Sequence, residues 1–379
     1  MLLTEEQLLI QESARTLADK NIRPFAQEWD EQKNIPRQAL DSLSEAGFMG
    51  MLIPDTWNGS QIDYVAYTLV IAEIAKACPA LSTMLSVHNS VASLPILRWG
   101  NEWQKETFLK PLAKGEKLGA FCLSEPQAGS DAAHLQTKAT ANGDNFILQG
   151  VKQFVTAGKH ADIAIVFAKT QMETSPEKSI TAFIVPTNTP GYHIAKIENK
   201  MGQHACEIAQ IVFEDCIIPA THQLGNLGEG YKIALQNLES GRLGIAAQCI
   251  GIAEEALALS VQYSQERKTF GKYLYEHQAL NFMLADMATQ LEAAKQLLTH
   301  AAHLMDNKKR CLKEVSMAKL FASEMAEKIC RQAIQIYGGY GYLSDFPLER
   351  LYRDVRVASI YEGSSEIQRM IIGRELISN

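Results

Sequence analysis

Apolar residues at helical spacing dominate residues 1–115 of the chain. Thr4 and Gln7 form a capping-box pair, which is typical of a helix start. The apolar positions over residues 63–77 predict a further packed helix, and Pro79 is expected to end it. This first part of the chain is therefore predicted to be a helical domain.

Between residues 118 and 220 the pattern changes to short segments of β-branched and aromatic residues. Gly, Pro and Asn separate these segments, and Asn142-Gly143 is the clearest hairpin signal in the chain. The predicted strands are 118–123, 146–156, 162–168, 180–185, 192–197 and 209–213. They predict an antiparallel sheet or a small barrel.

Helical spacing then resumes and continues to the end of the chain. The predicted helices are 230–265, 277–305, 312–337 and 347–377. Strands and helices do not alternate, which argues against a Rossmann sheet. We therefore predict an α+β multidomain protein with an N-terminal helical domain (1–116), a middle antiparallel β-barrel or sandwich domain (117–226) and a C-terminal four-helix bundle (227–379).

The amino-acid composition and net charge limit the kinds of binding partner that are expected. The 379 residues are 46% hydrophobic and carry a formal net charge of −7, so no basic field would attract nucleic acid or an anionic membrane. Any phosphate-bearing ligand must then be held by a few local cations. No apolar run reaches the roughly 20 residues of a membrane span. The start of the chain does not resemble a signal peptide. We expect a cytoplasmic protein, or one of the mitochondrial matrix if a transit peptide has been removed.

The seven cysteines include no C-x-x-C pair, and their number is odd. This pattern is typical of reduced thiols and argues against a disulfide framework or a structural zinc site. No metal site is predicted.

Four segments combine residue types that could bind a ligand: 121–131, 154–158, 266–278, and 335–341 with 361–368. Each also has an ordinary interpretation, as a polar loop, a strand end, a solvated turn and a helix cap. Glu362, between Tyr361 and Gly363, could act as a general base. Taken alone, a single glutamate is more often a surface residue or a helix N-terminal partner.

Taken together and in this order, the four segments resemble the acyl-CoA dehydrogenase family of flavoenzymes over essentially the whole chain. The resemblance implies that FAD lies between the middle β domain and the C-terminal bundle. It further implies an acyl-CoA substrate that is oxidised at its α and β carbons. Electrons would pass to an electron-transfer flavoprotein, and the assembly would be a homotetramer, a dimer of dimers.

The resemblance also implies roles for individual residues. Many members have Trp where this chain has Phe154, so an aromatic face is kept while an indole donor is lost. The segments around 267–278 and 335–339 are implied to reach the FAD of a neighbouring subunit. The implied FAD contacts are Phe121, Leu123, Ser124, Gly129, Ser130, Phe154, Thr156, Arg267, Phe270, His277, Gln278, Gln335, Gly338, Gly339, Ser364 and Glu366.

Glu362 matches the catalytic base in the family's Tyr-Glu-Gly-Thr motif, with Ser364 in place of the Thr. Some members carry the base on an earlier helix, directly before the Arg matched by Arg242. Gly241 stands there in this chain, which favours Glu362. Arg242 is expected to be a cation for the CoA moiety. The implied substrate contacts are Ser130, Glu239, Arg242, Tyr361 and Gly363.

Three other activities are weighed against a dehydrogenase. An acyl-CoA oxidase would pass its electrons to O₂, but members of that class are usually longer. A non-redox acyl-CoA-binding protein would have little need for Glu362, and a nitroalkane-oxidising relative would carry Asp at that position. Within the dehydrogenases, a short or branched-short acyl chain is expected, in fatty-acid or branched-chain amino-acid catabolism.

Overall fold

The computed structural model describes residues 3–170 and 175–377, and its N-terminal part is helical as predicted. The Thr4 side chain accepts a hydrogen bond from the Gln7 amide, and the Gln7 side chain completes the capping box. Pro79 lies just after the helix Tyr64–Ala77 and also begins the next helix, because proline is well tolerated at a first helical position. The helices are α1 (Glu5–Asn21), α2 (Ala26–Gln32), α3 (Arg37–Glu45), α4 (Tyr64–Ala77), α5 (Pro79–Val87), α6 (Leu94–Trp99), α7 (Glu102–Gln104) and α8 (Lys110–Ala113).

The middle part is an eight-stranded sheet with the order β6-β7-β3-β2-β4-β5-β8, and β1 pairs with β4. The predicted hairpin at Asn142-Gly143 is confirmed, with Asn142 opposite Asn145. The sheet is mainly antiparallel, as predicted, but β1 lies parallel to β4 and β2 meets β4 in a parallel bridge. The strands are β1 (Gly119–Cys122), β2 (Lys138–Asn142), β3 (Asn145–Thr156), β4 (Ile163–Lys169), β5 (Ile180–Pro186), β6 (Tyr192–Ile197), β7 (Ile208–Pro219) and β8 (Gln223–Leu224).

The C-terminal part contains three long helices and two short ones. A two-strand hairpin, β9 (Lys268–Thr269) and β10 (Lys272–Tyr273), lies in the link between the first two long helices. The helices are α9 (Gly230–Glu266), α10 (Gln278–Asp306), α11 (Leu312–Tyr337), α12 (Leu348–Val355) and α13 (Ser365–Ile377).

The single helix predicted over 347–377 is wrong in its middle. The chain leaves α12, makes a 3₁₀ turn and crosses a short loop before α13 begins. In that loop Glu362 has φ 53° and Gly363 has φ 87°. An α-helix cannot continue through two left-handed residues. The break in the helix therefore falls at the predicted base.

Helix α9 occupies the centre of the C-terminal part and packs against α4, α10 and α11. Judged by length and composition alone, this helix could cross a membrane, but 67% of its most apolar window is buried inside the protein. The main hydrophobic cluster joins the N-terminal helices to this bundle. All seven cysteines are buried free thiols.

Candidate active site

Side chains from three helices hold the loop that carries Glu362. Arg242 on α9 donates from Nε to the Glu362 carbonyl oxygen at 3.2 Å. Gln368 on α13 donates from Nε2 to the carbonyls of Glu362 and Gly363 at 3.2 and 2.8 Å. Lys319 on α11 donates from Nζ to the Gly363 carbonyl at 2.7 Å. These bonds fix a loop whose backbone would otherwise be costly to hold in the left-handed region.

Gly241 makes room for the Glu362 carboxylate. A Cβ atom at position 241 would lie 2.6 Å from Glu362 Oε2 and 2.8 Å from its Cδ. Any larger side chain at position 241 would therefore displace the carboxylate. Glycine at position 241, the alternative base position, thus leaves free the space that the Glu362 carboxylate needs.

Opposing influences set the ionisation of Glu362. Burial raises the pKa of its carboxyl group to about 7, against the lowering effect of Arg242 and Lys319. Its Oε2 atom is buried and has no hydrogen-bond partner within residues 3–170 and 175–377. Burial also lowers the pKa of Lys319 to about 8. A carboxylate that has a pKa near neutrality and a buried oxygen without a hydrogen-bond partner has the properties of a general base.

Tyr361 lies where the three parts of the chain meet. Its hydroxyl donates to Oε1 of Gln248 on α9 and lies 3.4 Å from Thr83 Oγ1 on α5. Gln203, between β6 and β7, donates from Nε2 to the same hydroxyl at 3.4 Å. The predicted substrate contact at Tyr361 thus takes part in a buried polar network. Gln248, Thr83 and Gln203 had no sequence signal, because they are ordinary polar residues far apart in the chain.

Arg242 lies inside the protein, whereas a cation that contacts CoA phosphates would be expected at an exposed position. It is only 4% exposed, and its guanidinium bonds the loop of Glu362. From this position on α9, Arg242 acts electrostatically on Glu362, and its contact with the CoA moiety stays a prediction. Glu239, one turn earlier, is partly buried, and this burial raises the pKa of its carboxyl group. Glu239 likewise stays a predicted contact for the CoA moiety of a substrate.

Two strand ends of the middle domain bring the first two predicted flavin segments together. The amide of Gln153 in β3 donates to the carbonyl of Ser124, just beyond β1, at 2.8 Å. Phe154 then projects with 62% of its surface exposed and φ 60°. A Cβ atom added at Gly129 would meet nothing within 4 Å, and Ser130 beside it is exposed. An exposed aromatic ring beside an open polar loop fits a flat ring system such as isoalloxazine.

Three further predicted FAD contacts of the middle domain are less accessible: Phe121, Leu123 and Thr156. Phe121 packs edge-on against Phe167 with ring centroids 5.1 Å apart, and Leu123 is 8% exposed. The Leu123 side chain therefore belongs to the core of the domain, whereas Phe121 packs against that core and stays partly exposed. Thr156, at the end of β3, is partly buried.

The third and fourth predicted flavin segments form an open cleft, here called the distal cleft, between the α9–α10 link and the turn after α11. It has a volume of about 530 Å³, and its lining includes Arg267, Gly338 and Gly339. Phe270 nearby is 97% exposed. A Cβ atom added at Gly338 or Gly339 would meet nothing within 4 Å. This exposed backbone and cation could hold phosphate oxygens.

The remaining predicted contacts lie at helix starts and ends. His277 caps the start of α10 and its Nε2 lies 3.1 Å from the Thr269 carbonyl oxygen. Gln278 and Gln335 are exposed. Ser364 precedes α13, and its hydroxyl bond lowers the pKa of Glu366 in the first turn.

Helix α11 separates the distal cleft from the base. Lys319 near its start bonds the loop of Glu362, and Gly338 directly follows its end. At about 1.5 Å per residue, these two positions are roughly 28 Å apart along the helix. The predicted FAD contacts next to the base, Ser364 and Glu366, therefore lie far from those of the distal cleft.

Family models match nearly the whole chain. The N-terminal domain of acyl-CoA dehydrogenases matches residues 4–116, the middle domain residues 120–216 and the C-terminal domain residues 228–377. Fold and site thus define a three-domain, flavin-dependent oxidoreductase. The chain belongs to the acyl-CoA dehydrogenase family, and its cofactor is FAD.

Individual relatives agree with this assignment. The mitochondrial short-chain specific acyl-CoA dehydrogenase of Mus musculus is 43% identical over 375 residues, which cover 99% of this chain and 91% of that protein. A subunit of the caffeyl-CoA reductase–Etf complex of Acetobacterium woodii is 43% identical over 378 residues, covering 100% of both. The solved structure of butyryl-CoA dehydrogenase from Megasphaera elsdenii is 41% identical, with a TM-score of 0.97 and coverage of 100% and 99%.

Proposed function

We propose that this protein dehydrogenates short acyl-CoA thioesters to trans-2-enoyl-CoA, with Glu362 as the base. The observation that carries the proposal is the Glu362 carboxylate, whose Oε2 atom is buried without a hydrogen-bond partner in the described residues and whose pKa is near neutrality. The short acyl chain is supported by the relatives named for short-chain and butyryl substrates. An electron-transfer flavoprotein is proposed as the acceptor, supported by the relative from an Etf complex.

The proton transfer needs a base that is ionised before the substrate arrives. Arg242 and Lys319 favour the ionised carboxylate of Glu362, while burial limits its solvation and keeps it basic. The Glu362 carboxylate takes the proton from Cα as the Cα–Cβ double bond forms and a hydride leaves Cβ. When bound, FAD supplies the acceptor for that hydride. Arg242, Gln368 and Lys319 keep the loop in place through this step, because their partners are its carbonyl oxygens.

Replacing the base tests the proposal. Glu362→Gln should keep the yellow flavin and acyl-CoA binding, yet slow the bleaching of the flavin by butyryl-CoA by about 1,000-fold or more, since general-base catalysis contributes on this scale. The measurement is anaerobic stopped-flow absorbance. Glu324→Gln, at an exposed carboxylate on α11, is the control and should bleach normally. Bleaching of Glu362→Gln at the wild-type rate would refute the assignment.

Substrate length is tested with a panel of saturated acyl-CoA esters from butyryl-CoA to palmitoyl-CoA, together with isobutyryl-CoA and isovaleryl-CoA. With an artificial electron acceptor, kcat/KM should be highest for the short esters. A maximum at palmitoyl-CoA would contradict the proposed substrate class while leaving the role of Glu362 intact.

The competing activities differ in the fate of the electrons. Fast reoxidation of the reduced flavin in air, without an electron-transfer flavoprotein, would identify an oxidase. Failure of any acyl-CoA to reduce the bound FAD would identify a non-redox binding protein. The dehydrogenase proposal predicts reduction by acyl-CoA, slow reoxidation in air and rapid reoxidation by an electron-transfer flavoprotein.

We infer a homotetrameric assembly in which a neighbouring subunit completes the FAD site. The assembly is supported by the roughly 28 Å of α11 between Lys319, beside the base, and Gly338, at the distal cleft, and by the exposed ring of Phe270. Light scattering should give about four times the subunit mass of 42.0 kDa. We further propose a cytoplasmic role in the β-oxidation of fatty acids. Cell fractionation and growth of a deletion strain on butyrate test this role.

A further inference from the structure

A fully buried ion pair lies directly beneath the predicted flavin loop. Glu125 is 3% exposed and Lys152 is 0% exposed, and Lys152 Nζ lies 2.8 Å from Glu125 Oε1. Burying two charges costs so much solvation that such a pair is weak evidence for added stability. Its presence here calls for another explanation, and its location offers one.

The Glu125 carboxylate gathers four donors from different parts of the domain. Besides Lys152, it accepts hydrogen bonds from the amides of Gln136 at 2.5 Å and Thr137 at 2.9 Å. The side-chain amide of Gln127 also donates to it at 2.7 Å. A single buried carboxylate therefore ties the beginning of the segment 123–137 to its end.

Lys152 ties the same segment to the second predicted flavin strand. Its Nζ also donates to the carbonyl of Leu123 at 3.1 Å. Lys152 lies in β3, two residues before the exposed ring of Phe154. Between the anchored ends, Glu125 and Ala128 exchange two backbone hydrogen bonds of 3.0 and 3.1 Å. The tip of the segment, with Ser130, is exposed.

We propose that the Glu125–Lys152 pair is a positioning device, which holds the segment 123–137 and the end of β3 in their flavin-binding arrangement before FAD arrives. The proposal rests on the proposed placement of FAD at Ser124, Ser130 and Phe154. Neither charged side chain needs to touch the cofactor. A loop that is already in place spares the ligand the entropy of ordering it, and this saving appears as affinity.

The test measures FAD binding to the full-length apoprotein through quenching of flavin fluorescence. Lys152→Met keeps the length of the side chain but leaves Glu125 without its counter-ion. We expect the Kd for FAD to rise by about tenfold or more, while the folded fraction in circular dichroism stays high. The matched control is Lys76→Met, which breaks the ion pairs of Lys76 with Glu73 (2.9 Å) and Glu254 (2.8 Å) among the helices. An unchanged Kd in Lys152→Met, or an equal rise in both variants, overturns the proposal.

A second pair of variants separates this proposal from the placement of FAD. Phe154→Ala and Ser130→Ala remove predicted contacts while the ion pair stays intact. If they weaken FAD binding and Lys152→Met does not, the placement holds and the positioning role fails. If none of the three weakens binding, the placement itself is wrong.

Wild-type protein gives an answer even if Lys152→Met does not fold. Hydrogen exchange at the amides of Gln136 and Thr137 should be slow in the apoprotein and remain slow with FAD, because Glu125 accepts from both in the absence of ligand. Fast exchange in the apoprotein that becomes slow only with FAD would overturn the proposal. Glu125→Gln, which keeps an acceptor oxygen but removes the charge, is the alternative variant, and its Kd should also rise.

Discussion

The loop of Glu362 and the distal cleft differ in how complete they are within one chain. The loop receives hydrogen bonds from three helices of its own chain, and Oε2 of the base that it carries is buried. The distal cleft exposes Phe270 almost fully and leaves glycine backbone open to solvent. The base is thus held within its own chain, and the openness of the cleft supports the proposal that a neighbouring subunit completes the FAD site there.

Among variants that keep Glu362, the largest expected effect comes from removing the positive charge of Lys319 near the base. Glu362 has its pKa raised to about 7, so the active carboxylate form is lost as the pH falls below that value. Lys319→Met removes a cation that lowers this pKa, so the acid limb of the kcat/KM profile should move to higher pH. At pH 6, below both pKa values, we expect a loss of about tenfold, which corresponds to roughly one pKa unit.

Gln368→Met is the matched control for Lys319→Met. It removes hydrogen bonds to the same loop carbonyls without changing a charge. Its rate should fall, but its acid limb should stay where it is in the wild type. If the two variants move the limb equally, the effect of Lys319 is positional and not electrostatic.

A smaller loss is expected from crowding the base. Gly241→Ala places a methyl group 2.6 Å from the present position of Glu362 Oε2, and the carboxylate must move to relieve that contact. We expect kcat to fall by about fivefold to tenfold, because small misplacements of a reacting group are costly. Gly373→Ala on α13, where an added Cβ meets nothing within 4 Å, is the control. An unchanged kcat would mean that the carboxylate has room to spare.

Changes at the distal cleft should leave the chemistry intact. Phe270→Ala removes the exposed ring and should raise the Kd for FAD by about threefold to tenfold without moving the acid limb of the pH profile. Lys20→Ala, on the exposed surface of α1, should leave both unchanged. A fall in kcat of FAD-saturated Phe270→Ala would show that the two regions are coupled.

The smallest expected effect is on stability. The pKa of Glu362 is higher in the folded protein than its ordinary value, so the folded state binds this proton more tightly than the unfolded state does. The resulting stabilisation is present at low pH and is lost as the pH rises through about 7. Glu362→Gln should therefore be more stable than the wild type at pH 8 by about 3 kcal/mol. Urea unfolding should show this difference shrinking toward pH 5.

Local signals predicted much of this molecule. The capping box at Thr4 and the hairpin at Asn142-Gly143 depend on residues a few positions apart, and both are confirmed. The parallel pairing of β1 with β4 joins Phe121 to Ile165 across the intervening hairpin. No local pattern specifies such a pairing, so the strand prediction missed it.

The site was predicted where a motif was present and missed where it depended on burial. Glu362 stood out through its neighbours, but the left-handed backbone that breaks the helix there leaves no trace in apolar spacing. Lys152 and Lys319 are both 0% exposed. Lysine is normally a surface residue, so its burial depends on acceptors that only the folded chain brings close.

The seven buried thiols allow local opening of the structure to be detected by chemical labelling. Burial raises the pKa of Cys78 and of Cys311 to about 11, so little reactive thiolate exists at neutral pH in the native state. A thiol reagent can then label these side chains only when the surrounding structure opens. Cys122 and Cys216 lie in the sheet and Cys249 on α9. Mass spectrometry of labelled peptides would therefore reveal which part of the molecule opens first, without any introduced probe.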